Sequence, residues 1–91
     1  MEERDYTTKE EMRNILAMLQ EFQREMFGIM NIELDARVDN DGDLYMTFYT
    51  CRGDQFVKGN CYEFWSYEKN MQAINDYKEE LNKLASVNSF A

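Results

Sequence analysis

The sequence predicts an α+β domain with the order helix, three-stranded antiparallel β-meander, helix, and with both helices on one face of the sheet. Apolar residues recur about every 3.6 positions near both ends of the chain and every second position in the middle. The length of 91 residues fits one domain. The hydrophobic content of 44% is enough for a packed core. We therefore expect a single small domain over residues 1–91.

The first predicted element is a helix over residues 8–27. Two overlapping capping boxes pair Thr7 with Glu10 and Thr8 with Glu11. Gly28 favours a left-handed stop after this helix. The apolar stripe of the helix comprises Met12, Ile15, Leu16, Leu19, Phe22 and Met26.

The next two elements are strands over residues 29–39 and 43–51. Apolar and polar residues alternate along the first strand, as on a strand buried on one side. A turn with a glycine bulge at Gly42 keeps the apolar residues of both strands on the inner face. The expected pairs are Val38 with Leu44, Ala36 with Met46 and Leu34 with Phe48. We expect the side chains of Tyr45, Thr47, Tyr49 and Cys51 to face outward.

A third strand over residues 55–65 and a second helix over 67–85 complete the predicted fold. Gly59 and Asn60 interrupt the alternation of the third strand, so a bulge there is one reading. The sequence leaves open whether Phe56 or Val57 points inward. Ser66 is the expected N-cap of the second helix, and residues 86–91 are expected to fray. The apolar stripe of this helix comprises Tyr67, Met71, Ile74, Tyr77, Leu81 and Leu84.

The net charge of −8 repels nucleic-acid backbones and anionic membranes and favours basic partners. Cys51 and Cys61 are too few for a disulfide scaffold, so we expect half-buried thiols in a reducing compartment. The start, MEERDYTTK, has no apolar run and does not read as a signal peptide. These features predict a cytoplasmic protein that binds neither nucleic acid nor membranes directly.

The residue types argue against catalysis and against a metal or cofactor site. The chain has no histidine, and general acid–base work by another group needs a desolvated pocket. The acids around Gly42 do not fit a calcium loop, because Arg37 and Phe48 fall where carboxylates are required. Two thiols ten residues apart do not make a structural zinc site. We expect no enzyme activity, no cofactor and no metal.

The candidate functional surface is an acidic stretch with neighbouring tyrosines. Five acids and one base, Arg37, lie between Glu33 and Asp43. Aromatic side chains anchor protein interfaces and charges steer the approach of a partner. The candidate partner-binding residues are Glu33, Asp35, Asp39, Asp41, Asp43, Tyr45 and Tyr49. The leading prediction is a non-enzymatic accessory or regulatory module that binds a protein with a basic surface and forms a homodimer.

Three resemblances bear on this prediction. The stretch from Arg37 to Tyr45, RVDNDGDLY, is similar to a hairpin in a small phage anti-CRISPR inhibitor. Some inhibitors of that kind occupy DNA-binding clefts, which implies an alternative function as a nucleic-acid mimic. The element order also resembles that of double-stranded-RNA-binding domains, but the stretch from Ser66 to Asn70 holds one lysine and no basic cluster. The chain is also similar to secretion chaperones, which are small and acidic and begin with a helix and a β-meander. Because those chaperones are dimeric, this resemblance implies a dimer.

Overall fold

A computed structural model describes residues 4–88 of the chain. Its elements, in chain order, are α1 (Lys9–Glu25), β1 (Glu33–Val38), β2 (Leu44–Arg52), β3 (Gln55–Tyr62) and α2 (Tyr67–Asn88). The strands form one antiparallel sheet in the order β1-β2-β3. The predicted order of helix, meander and helix is confirmed.

The boundaries differ from the predicted ones by three residues or more in three places, and α1 ends two residues early, at Glu25. β1 begins at Glu33 and not at residue 29, and β3 ends at Tyr62 because a turn follows it. α2 continues to Asn88, so the first part of the predicted frayed tail is helical. The rest of that tail, 89–91, lies outside the described residues. Neither helix of the described chain is long and apolar enough to cross a membrane.

One of the two predicted capping boxes starts α1. The Thr8 hydroxyl accepts from the Glu11 N–H at 3.1 Å, and the Glu11 carboxylate accepts from the Thr8 N–H at 2.9 Å. The other box does not form, because the buried Thr7 hydroxyl donates to the Trp65 carbonyl at 2.8 Å. Thr7 therefore ties the segment before α1 to the end of the sheet.

The β1–β2 hairpin has the predicted register. Val38 pairs with Leu44, and the predicted partners of Ala36 and Leu34 are likewise confirmed. The turn is held by Asp39, whose carboxylate accepts from the N–H groups of Asp41 and Asp43 at 2.9 Å each. Gly42 takes the left-handed backbone that this turn requires, with φ +85°.

The third strand pairs with β2 without a bulge. The register runs unbroken from Tyr45–Tyr62 to Arg52–Gln55, so the bulge suggested by the sequence is wrong. Val57 lies opposite the buried Thr50 and faces inward, which leaves Phe56 on the other side. Gly59 interrupts the apolar pattern because it lies opposite Phe48, whose ring occupies the space of a side chain at position 59.

The core is a single cluster to which both helices and the inner side of the sheet contribute. Contacts place α2 against β3 and α1 against β1 and β2. The Tyr77 ring of α2 meets the Phe48 ring edge-on at 4.9 Å, and the Lys78 ammonium lies 5.0 Å from the Phe22 ring of α1. The largest fully buried apolar side chains are Tyr77, Phe48, Met12, Ile15, Leu19, Ile74 and Leu81.

Two expectations about burial need correction. Val38 was expected in the core, but it is 61% exposed, because an open groove lies between it and α1. Ala36 lines the same groove and is also exposed. Cys61 was expected to be half-buried, yet it is fully buried in the core, whereas Cys51 is exposed.

A buried polar junction joins the end of β3 to the start of α2. The Asn70 amide donates to the Tyr62 carbonyl at 2.9 Å and to the Thr7 hydroxyl at 2.8 Å. Its carbonyl oxygen accepts from the Tyr62 N–H at 3.0 Å. Asn70 thus satisfies both backbone groups of Tyr62, as a neighbouring strand would.

Candidate functional site

The side of the sheet away from the core is the candidate site, and we call it the outer face. Its residues alternate along each strand with the inward-facing ones, as the pleat requires. On β2 the buried residues Met46, Phe48 and Thr50 alternate with partly exposed ones. The outer face consists of Glu33, Asp35, Arg37, Tyr45, Thr47, Tyr49, Cys51, Phe56, Lys58, Asn60 and Tyr62.

One end of the outer face carries a group of four aromatic side chains, the aromatic corner. Tyr62 lies at its centre, with ring centroids 6.2 Å from Tyr45, 4.9 Å from Phe64 and 4.6 Å from Trp65. The Lys69 ammonium lies 4.1 Å from the centre of the Trp65 ring. Phe64 is 54% exposed, so the corner presents apolar surface to solvent.

The other end of the outer face carries a second aromatic pair. Tyr49 and Phe56 have ring centroids 5.8 Å apart, and Phe56 is 59% exposed. Between the pair and the aromatic corner, the Thr47 hydroxyl donates to the Asn60 side-chain oxygen at 3.1 Å. The outer face is therefore aromatic at both ends and polar in the middle.

The charges on the outer face balance one another. Glu33 and Asp35 lie on β1 together with Arg37, and Lys58 lies on β3 opposite Tyr49. The Arg37 guanidinium donates to the Asp35 carboxylate at 2.7 Å, and this contact raises the pKa of Arg37. The negative charge expected on the outer face is therefore largely offset there.

The unbalanced acids lie at the end of the β1–β2 hairpin, which we call the hairpin tip. It contains Asp39, Asp41 and Asp43, with no base between them. The Asp39 carboxylate is used to hold the turn, whereas Asp41 is exposed. The predicted site residues thus fall into two groups: Glu33, Asp35, Tyr45 and Tyr49 on the outer face, and the three aspartates at the tip.

The two thiols differ in chemistry. Burial raises the pKa of Cys61 to about 12, so this thiol stays protonated at neutral pH. The Cys61 sulfur lies 3.6 Å from the backbone carbonyl oxygen of Asn70 inside the core. Cys51 is exposed on the outer face. Within residues 4–88 no group of His, Cys, Asp and Glu side chains is arranged to hold a metal ion.

Sequence reasoning missed part of the aromatic surface. Phe56, Tyr62, Phe64 and Trp65 were not among the predicted site residues. The sequence does not by itself show whether Phe56 or Val57 points inward, so it does not place Phe56 on the outer face. Had Gly59 been assigned an inward position opposite Phe48, the alternation would have placed Phe56 outward.

Comparisons of this chain with protein-family models, curated proteins and solved structures found no match.

Proposed function

We propose that this protein is a non-enzymatic binding module of the cytoplasm whose outer face binds a protein with a basic surface. The observation that carries the proposal is the set of aromatic side chains on the face of the sheet turned away from the core. They are Tyr45, Tyr49, Phe56, Tyr62, Phe64 and Trp65. Two free cysteines, one of them exposed, suit a reducing compartment.

The outer face and the hairpin tip contribute differently to binding. Half-exposed aromatic rings offer a large apolar contact area with little side-chain entropy to lose, which suits them as anchors. The tip and the overall charge of −8 attract a basic partner over a longer range and orient its approach. Anchoring should therefore depend on the outer face and the speed of association on the tip.

The first experiment removes the exposed aromatic pair. Tyr49→Ser with Phe56→Ser should abolish retention of the partner captured from native lysate by tagged wild-type protein, because the anchor area is lost. The matched control is Phe27→Ser, which removes an aromatic side chain that is 88% exposed elsewhere on the surface. Circular dichroism checks that all variants fold. A partner retained equally by the double variant contradicts this placement of the site.

The second experiment reverses the charge at two positions with Glu33→Lys and Asp41→Lys. Asp39 is left in place because its carboxylate holds the turn. Association with the captured partner should slow, most clearly at low salt. Glu79→Lys with Asp76→Lys on the exposed side of α2 is the control of equal charge change. If the partner is a nucleic-acid-binding protein that high salt releases completely, the result supports nucleic-acid mimicry and contradicts the aromatic anchor.

A further inference from the structure

We propose that two copies of this chain form a symmetric dimer by pairing their β1 strands antiparallel, with Ala36 at the two-fold axis. The pairing would join the two sheets into one of six strands. This inference rests on the edge of the sheet and is independent of what the outer face binds.

The first argument is the direction of the backbone groups of β1. Alternate residues of an antiparallel strand direct their N–H and C=O groups to opposite neighbours. The Asp39 N–H donates to the Asp43 carbonyl at 2.9 Å, directly after the Val38–Leu44 pair. The Leu44 N–H and carbonyl instead bond to Glu63, on the β3 side. The backbone N–H and C=O groups of Leu34, Ala36 and Val38 therefore point away from β2, to the open edge of the sheet.

The second argument is that the two edges of the sheet are treated differently. On β3, Asn70 of α2 occupies both backbone groups of Tyr62. Backbone groups that are already paired in this way cannot bond the strand of another chain. On β1, by contrast, five of the six residues are exposed and Leu34 is partly exposed.

The third argument is that one register satisfies the strand completely. With Ala36 opposite Ala36 of the second copy, Leu34 lies opposite Val38 and Asp35 lies opposite Arg37, each pair occurring twice by symmetry. The backbone groups of Leu34, Ala36 and Val38, which point to the open edge, are then all paired with the second copy. Apolar residues meet on the inner side, and opposite charges meet on the outer side.

The neighbouring registers place like charges opposite each other. Centring the pair on Asp35 sets two aspartates face to face, and centring it on Arg37 does the same with two arginines. Centring it on Leu34 sets Glu33 against Asp35. Like charges directly opposite on paired strands are destabilising. The sequence of β1, ELDARV, is therefore complementary to itself in the register centred on Ala36.

The fourth argument is the apolar surface beside this edge. Val38 is 61% exposed, and a groove of about 290 Å³ between α1 and the hairpin is lined by Met12, Leu16 and Leu44 next to it. A two-fold axis perpendicular to the sheet keeps the inner sides of both copies together. The pairing would then cover Val38 and bring the two grooves to the same side of the joined sheet.

The first test measures mass in solution by light scattering during gel filtration. The wild-type chain should have twice the mass of one copy, and Ala36→Pro should have the mass of one. Proline removes an N–H that the β1–β2 ladder does not use, so the fold is retained, as circular dichroism will show. Ala36→Ser keeps the N–H and should remain dimeric. A wild-type chain that is monomeric overturns the proposal, as does a dimer that survives Ala36→Pro.

The second test exchanges charges and needs no proline. Asp35→Arg alone sets arginine against Arg37 twice, and Arg37→Asp alone sets aspartate against Asp35 twice. Each should raise the dissociation constant about tenfold or more. Mixing the two single variants restores opposite charges in both pairs, so a heterodimer should form. The double variant Asp35→Arg with Arg37→Asp should form a homodimer again. A mixture that stays monomeric overturns the Ala36 register.

Discussion

At the scale of single residues, Gly59 shows why an apparent break in a strand pattern need not be a bulge. It lies opposite Phe48, whose ring is fully buried and covers the position where a Cβ atom would stand. The Phe48 Cε2 atom would overlap that Cβ, and the Cζ atom would lie 2.9 Å from it. The glycine is thus required by a close side-chain approach and not by its backbone angles.

Gly59→Ala should destabilise the domain by about 1–3 kcal/mol, the usual cost of overpacking a filled core. The Phe48 ring also packs edge-on against the Tyr77 ring, with the ring centroids 4.9 Å apart, so moving it would disturb a second core contact. Urea denaturation measures the change as a lower midpoint with an unchanged slope.

Phe48→Leu provides the control for this mechanism. A smaller side chain at position 48 leaves room for the new methyl group, so the cost of Gly59→Ala should be smaller in the Phe48→Leu background. Equal costs in both backgrounds would show that the two positions are not coupled and that the ring contact is not the cause.

At the scale of elements, the junction between β3 and α2 depends on Asn70. This residue occupies a position that the sequence places on the helix but not in its apolar stripe, and it is fully buried. Its amide bonds the backbone of Tyr62 and the hydroxyl of Thr7. One side chain therefore ties together the N-terminal segment, the end of the sheet and the start of α2.

Asn70→Ala should lower the free energy of unfolding by about 1–3 kcal/mol, because it leaves the partly buried backbone groups of Tyr62 without partners. Hydrogen exchange adds a local measurement, since the Tyr62 N–H loses its acceptor and should exchange faster than the amides of β2. Asn75→Ala, at an exposed position of the same helix, should leave both quantities nearly unchanged. If Tyr62 exchange is unaffected in Asn70→Ala, the junction does not protect that strand end.

The same elements show what could be predicted from sequence. The β1–β2 register followed from alternation and turn chemistry, because a one-residue slip would have exposed all the apolar residues of β2. The path of β3 could not be predicted, since the cause of its broken pattern is the Phe48 ring on a neighbouring strand. Asn70 and Thr7 were missed for a similar reason. Their burial depends on contacts between residues 63 positions apart.

The candidate site was predictable to a different degree. Alternation placed Tyr45 and Tyr49 outward correctly, but charge counting along the chain could not show that Arg37 and Lys58 balance the acids of the outer face. Nor could it show that the Asp39 carboxylate holds its own turn. Local sequence therefore located the tyrosines, while the distribution of charge required the three-dimensional arrangement.

At the scale of the whole molecule, stability should depend on pH at both extremes. On the acid side, the Arg4 guanidinium and the Thr8 N–H lower the pKa of Glu11 to about 2. Bonds from the Leu44 N–H and Lys9 also lower the pKa of Glu63. Because the folded state binds these protons less readily, the stability that Glu11 supplies is present above about pH 4.5 and is lost as pH falls toward 2. Glu63 acts in the same direction.

On the alkaline side, the sign is reversed. Burial raises the pKa of Cys61 from 9.0 to about 12, and burial also raises the pKa of Tyr77. The folded state keeps protons that the unfolded chain releases, so the contribution of Cys61 is present below pH 9 and is lost as pH rises to about 12. One such group changes the free energy of unfolding by at most about 1.4 kcal/mol per pH unit.

Urea denaturation of the wild-type chain and of Cys61→Ala between pH 7 and about 12 tests the predicted loss of stability at alkaline pH. Cys61→Ala should be less stable at neutral pH, because it leaves a cavity in the core, but its stability should fall less steeply above pH 9. Cys51→Ala removes an exposed thiol and should keep the wild-type slope. Thiol reagents at pH 8 should modify one cysteine in the folded wild-type chain and two after unfolding, because a buried, protonated thiol is neither accessible nor nucleophilic. Parallel profiles for the wild-type chain and Cys61→Ala would show that the core does not hold this proton and that alkaline unfolding begins elsewhere.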